Sequence, residues 1–181
     1  MDDTRAILLD ALDDEYRAEA SYAAIIARFG DVRPFSAIVH AEQRHSNAIA
    51  RQLERLGHAV PANPWQGKID APATLGEACS LAIAAELENI ALYDRLLPRI
   101  ADPGVRQVLQ NLQDASRENH LPAFRRCLER SRDGSRERGR GQGNRYRRGR
   151  GRPQSVPGPD EESPDIAVGA FFKSTAGGSQ D

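Results

Sequence analysis

Residues 15–45 read EYRAEASYAAIIARFGDVRPFSAIVHAEQRH, and this run decides the fold. Leu8, Leu12, Glu15, Glu19, Tyr22, Ile26 and Phe29 recur at alternating spacings of four and three, the period of one helix face. Gly30 ends that helix. The four residues Asp31-Val32-Arg33-Pro34 are too few for anything but a tight connection. A second helix, from about Phe35 to Leu56, must therefore run antiparallel to the first. Its stripe is Ile38, Glu42, His45, Ile49 and Leu53, closed by Gly57.

Outward from this hairpin, residues 58–73 form a Pro-rich connection with Trp65 as its one large apolar group, suited to crossing and covering an end of a bundle. Thr74 followed by Glu77 is a capping-box signature for a third helix, whose stripe reads Cys79, Ala82 or Ile83, Glu86, Ile90, Tyr93 and Leu97. Asp102-Pro103 opens a fourth helix that runs to about Arg130. The spacing thus predicts an all-α antiparallel four-helix bundle over residues 1–130.

Charge divides the chain the same way. Residues 1–130 carry 15 basic and 19 acidic side chains, whereas residues 131–152 carry nine Arg against Asp133 and Glu137. The remainder, 153–181, is acidic and rich in Pro and Gly, apart from an apolar island at 166–172. Segments of such composition cannot bury a core, so 131–152 reads as a disordered Arg/Gly-rich linker and 153–181 as a disordered tail. Cys79 and Cys127 lie far apart with no paired-cysteine motif, and read as reduced, packed thiols. The acidic start Met1-Asp2-Asp3 and the lack of a long apolar run lead to the expectation of a cytoplasmic protein with no membrane span.

Carboxylates on a buried stripe need a reason, because an unpartnered buried charge costs several kcal/mol. Glu15, Glu42 and Glu86 each sit mid-helix on such a stripe, at similar heights in the bundle. Glu42 and His45 lie one turn apart on one face and can share a metal ion. Alone, this pair is more often an ordinary surface pair; the four-helix constellation reverses the odds. Hard oxygens with one imidazole per metal suit Fe, two per chain, or Mn. The first and third helices also repeat a Glu and a Tyr seven residues apart, Glu15 with Tyr22 and Glu86 with Tyr93. The two tyrosines are packed core aromatics or partners of the ligand carboxylates.

The fourth helix departs from the pattern. His120 is its expected ligand, but the position three residues earlier is Arg117, and Glu118 stands about 200° away on a regular helix. Pro122 cannot donate to the Glu118 carbonyl, and a π-bulge there would change the facing residues. Glu118 is therefore left open as a ligand. Asn89 stands one turn beyond Glu86.

The runs ALDDEYRAEASYAAIIARFGDVRPFSAIVHAEQRHSNAIARQLERLG, NPWQGK, AAELENIALYDRLLP and NLQDASRENHLPAFRRC resemble a bacterial ferritin-like family of unknown function, related to rubrerythrin and ferritin. The resemblance covers residues 4–130. It implies a ferritin-like fold with a di-iron site and, by analogy, puts Glu15, Glu42, His45 and Glu86 on ligand positions; it brings no reaction.

The function expected from these readings is iron binding with oxidation of Fe(II) by dioxygen or peroxide, with a separate electron donor if the site turns over and a homo-oligomer left open. The rival reading is a non-enzymatic bundle whose 131–152 segment binds nucleic acid through its arginines. Val168-Gly169-Ala170-Phe171 in the apolar island also resembles the core of the C-terminal tags that load ferritin-like cargo into encapsulin shells, which makes 166–172 a candidate docking peg.

Overall fold

The structure, a computed structural model, describes residues 3–142, and among these it contains helices and no strand. Helix α1 (Thr4–Phe29) stops at Gly30, whose φ of 82° suits a residue without Cβ and whose N–H bonds to the Ile26 carbonyl at 2.8 Å. Helix α2 (Phe35–Arg55) follows after the short connection and packs along α1.

Helix α3 (Leu75–Leu96) opens with the expected capping box: Thr74 Oγ1 accepts from the Glu77 N–H at 3.2 Å, and Glu77 Oε2 accepts from the Thr74 N–H at 3.0 Å. Helix α4 (Pro103–Ala115) is capped by Asp102, whose Oδ1 accepts from the Val105 N–H at 2.9 Å. It passes without a break through a π-turn, Ser116–His120, into α5 (Leu121–Gln142). The helix therefore continues past the Arg130 expected as its end. Residues 143–152 of the Arg/Gly-rich segment and the apolar island at 166–172 lie outside the described residues.

Side-chain pairings set the helix directions. Glu15 meets Tyr93 while Tyr22 meets Glu86, so α1 and α3 are antiparallel. Glu86 meets His120 while Cys79 meets Cys127, so α3 and α5 are antiparallel as well. With α2 reversed on α1, the order is up, down, down, up. The connection between the two parallel helices α2 and α3 must then travel the length of the bundle.

It does so along the side of α1. Trp65 Nε1 donates to Asp13 Oδ1 at 2.9 Å, the Tyr16 hydroxyl donates to the Pro61 carbonyl at 3.3 Å, and the Asn63 amide donates to the Tyr16 carbonyl at 3.4 Å. This corrects the expectation of a loop over one end. A bundle with two parallel neighbours in sequence has no shorter route.

Two apolar clusters fill the bundle, one towards each end. Ile7, Leu8, Leu12, Ile49, Leu53, Leu96, Val105 and Leu109 belong to the first; Tyr22, Ile25, Phe35, Ile38, Ala82 and Phe124 belong to the second. In the second, the rings of Tyr22, Phe35 and Phe124 meet at centroid distances of 5.0 to 5.7 Å. Cys79 and Cys127 lie there too, joined as a disulfide with Cα atoms 6.0 Å apart. The expectation of two separate thiols is thus overturned: antiparallel packing of α3 on α5 brings together residues 48 apart in sequence. No described helix is long and apolar enough to cross a membrane.

Phe124 is fully buried, and its replacement by Ala should cost about 3–5 kcal/mol of unfolding free energy, read from urea denaturation of the metal-free protein. A loss below about 1 kcal/mol would mean that the aromatic cluster is not a packed core.

Candidate metal centre

Between the two apolar clusters lies a polar layer, and its composition is unusual for a small bundle. Glu15, Glu42, Glu86 and His120 are all buried, and His45 is half-buried beside them. Each helix delivers its group by simple register: Glu15 from the middle of α1, Glu42 and His45 one turn apart on α2, Glu86 from the middle of α3, and His120 from the π-turn.

Two overlapping groups result, Glu15–Glu42–His45 and Glu42–Glu86–His120, and in each one a set of donor atoms lies within 4.8 Å of one another. Glu42 belongs to both. Its Oε2 is 3.0 Å from His45 Nδ1, and its Oε1 is 3.1 Å from His120 Nδ1. His45 Nδ1 also lies 3.2 Å from Glu15 Oε2, and His120 Nδ1 lies 3.5 Å from Glu86 Oε1. The two imidazoles stack with centroids 5.4 Å apart.

The tyrosines complete the pattern crosswise. Tyr93 on α3 donates to Glu15 on α1 at 2.6 Å, and Tyr22 on α1 donates to Glu86 on α3 at 2.8 Å. The repeat of Glu and Tyr seven residues apart therefore has a geometric meaning, because in antiparallel helices such a repeat pairs each Glu with the other helix's Tyr. Burial, with the adjacent carboxylates adding to it, raises both phenols well above their usual range.

The fourth helix behaves as the proline suggested, but it does not rescue Glu118. The π-turn is wider than an α-turn, and it brings Ser116 and His120 to the inner face while Arg117, Glu118 and Asn119 are exposed. Glu118 is exposed and lies outside both groups, so the ligand role left open for it finds no support here. Ser116 Oγ donates instead to Asn89 Oδ1 at 2.9 Å, and the Asn89 amide donates to Asp14 at 2.8 Å and to Glu15 at 3.4 Å. Where further carboxylates could have stood, a neutral amide and a hydroxyl satisfy each other.

Sequence reading also missed Asp14. It sits next to Glu15 but off the periodic stripe, and burial raises its carboxyl despite the Asn89 bond and its pairing with Arg17 at 2.6 Å. A narrow cavity of about 20 Å³, roughly the room of a single water, is lined by Asp14, Arg17, Tyr22, Glu42, Glu86 and Asn89. Arg17 is also 3.9 Å from the exposed Glu88.

Electrostatics show what the layer needs. Burial alone would lower both imidazoles, but Glu15 and Glu42 outweigh it at His45, holding its pKa at about 9, and Glu42 and Glu86 hold His120 at about 10. Burial would raise Glu42, yet the two histidines keep it below its ordinary value. Glu15 is raised by burial, which the His45 contact only partly offsets. Protonated imidazoles thus hold three carboxylates together. His120 Nδ1 is nevertheless a buried nitrogen with no well-directed hydrogen bond, surrounded by carboxylate oxygens as a metal ligand is.

Comparisons with known proteins add the fold and nothing finer. No family model matches the chain, and no curated protein matches it. A hypothetical protein from Methanococcus jannaschii DSM 2661 has a solved structure that is similar with a TM-score of 0.63 at 20% sequence identity, over 69% of this chain and 79% of that one.

The raised histidines have a consequence for stability. A group whose pKa is higher folded than unfolded stabilises the fold fully below the unfolded value and stops doing so above the folded one. The metal-free protein should therefore lose stability as pH rises from about 6.5 towards 9 and 10, seen as a falling urea midpoint. His45→Gln and His120→Gln should each flatten that slope; an unchanged slope in both would show that the imidazoles are neutral in the folded state.

Proposed function

We propose that this protein binds two redox-active metal ions, iron before manganese, and oxidises Fe(II) with dioxygen or peroxide. The observation that carries the reading is Glu42, whose two oxygens face two different histidines, the posture of a carboxylate that bridges two cations. On this reading Glu15 and His45 complete one position, and Glu86 and His120 complete the other. Glu15, Glu42 and His45 would hold one ion and Glu42, Glu86 and His120 the other, and bound metal would supply the site at which an oxidant is reduced.

Support comes from donor chemistry and topology together. Three carboxylates and two imidazoles without a thiolate form a hard oxygen and nitrogen set, suited to iron or manganese rather than to a structural zinc. A bundle with one long crossover, holding inward Glu and His on facing helices, is the arrangement of ferritin-like di-metal carboxylate proteins. Bound iron supplies one-electron steps, two per pair of ions.

The protein's own residues do the rest. Tyr22 and Tyr93 orient Glu86 and Glu15 by donating to the Oε1 atom of each. The neutral Asn89–Ser116 pair keeps the charge of the layer at three carboxylates, which two divalent cations offset with one positive charge to spare. The narrow cavity beside Glu42 and Glu86 holds about one water-sized molecule next to the two carboxylates. Docking of the 166–172 island into an encapsulin-type shell is a proposal that belongs with this activity, since oxidised iron needs a place to go.

Protein prepared without chelator should hold about two Fe or Mn per chain by elemental analysis. Glu42→Ala should reduce this to fewer than one, because it removes a donor from both positions. Glu118→Ala should leave it unchanged. Full metal content in Glu42→Ala would reduce the layer to a buried polar network.

A further inference from the structure

The disulfide stands in register with the metal layer. On α3, Cys79 precedes Glu86 by seven residues, and on α5, Cys127 follows His120 by seven. Seven residues are two helical turns, so both cysteines lie on the faces that carry Glu86 and His120, roughly 10 Å further along the bundle. One sulfur pair therefore hangs from the two helices that form a single one of the two metal positions.

The space between is filled by aromatic side chains. Phe124 is one turn past His120 and Ala82 one turn before Glu86, and the Phe124 ring packs on Tyr22 at 5.2 Å and on Phe35 at 5.0 Å. Tyr22 in turn donates its hydroxyl to Glu86. The sulfurs, Phe124 and Tyr22 thus belong to one buried cluster that borders the carboxylate layer at Glu86. Cys79 is fully buried and Cys127 is 3% exposed, so neither peroxide nor a thiol in solution reaches them directly in the closed bundle.

We infer that Cys79 and Cys127 form a redox pair that supplies two electrons to the metal layer, making the protein a thiol-dependent peroxide reductase. The inference rests on the metal reading given above. Closing the pair breaks two S–H bonds and forms one S–S bond, releasing two electrons and two protons. Peroxide takes up both electrons as its O–O bond breaks and, with the two protons, becomes two molecules of water.

The pair is reopened by an external dithiol, which closes to its own disulfide. Access for that exchange needs a local opening of the α3–α5 contact around Cys127, which exposes the sulfur. The electron donor expected from the sequence to be a separate protein is then a dithiol, and the cysteines are its relay.

The test uses the full-length protein, reduced with excess dithiothreitol, desalted without oxygen and divided into metal-free and Fe(II)-loaded samples. One equivalent of hydrogen peroxide is added, free thiols are blocked under denaturing conditions, and intact mass and bound iron are measured. Expected is loss of both thiols in the iron-loaded sample as the internal disulfide, with both thiols retained in the metal-free sample over the same interval. Iron-loaded protein that keeps its thiols overturns the inference and leaves the metal reading standing. Equal thiol loss without iron also overturns it, as does loss of helical circular dichroism on reduction, which would make the bond a structural staple. Protein that takes up no iron overturns both readings.

Discussion

Three carboxylates at one level of a bundle core are the constraint to which the rest of the structure answers. Placing them there without cations would be costly, since even one buried charge without a partner carries a penalty of several kcal/mol. Two protonated imidazoles meet that demand in the metal-free chain, and for this reason His45 and His120 are held near 9 and 10. The apolar clusters on either side then fix how far the layer can relax. The site is a slab of charge clamped between two dry ends.

Much of this was legible in the sequence, because the layer interrupts a strong pattern. Glu15, Glu42 and Glu86 break otherwise apolar stripes, and the stripes themselves set the height of each residue, so that convergence of the four helices at one level followed from counting turns. His120 was expected instead from the ligand pattern of such bundles, without a stripe to place it. The capping box at Thr74 and the cap at Asp102 stand where their side-chain chemistry requires.

What escaped depended on contacts that period alone does not encode. Asp14 sits beside the stripe, and its burial follows from Asn89 reaching across from α3. The Cys79–Cys127 bond needed the register and facing sides of the fourth helix on the third, which the apolar period does not encode. The route of the Pro-rich connection is a further case: composition marked it as a loop, but only the parallel run of α2 and α3 obliges it to travel the side of α1. Pro122 did announce the π-turn, yet the residue that turn swings inward is Ser116, and a wide turn has no fixed period from which to read that.

The crosswise tyrosines carry a consequence for how the protein comes together. Each hairpin half owns a carboxylate whose phenol partner sits on the other half, so an isolated half leaves a Tyr hydroxyl without its acceptor and a Glu with only its histidine. Neither half gains much by closing alone, and both gain at once when they meet. Such mutual dependence couples the two halves: Glu15, Glu42 and His45 belong to one and Glu86 and His120 to the other, and only the joined bundle gives each carboxylate its phenol.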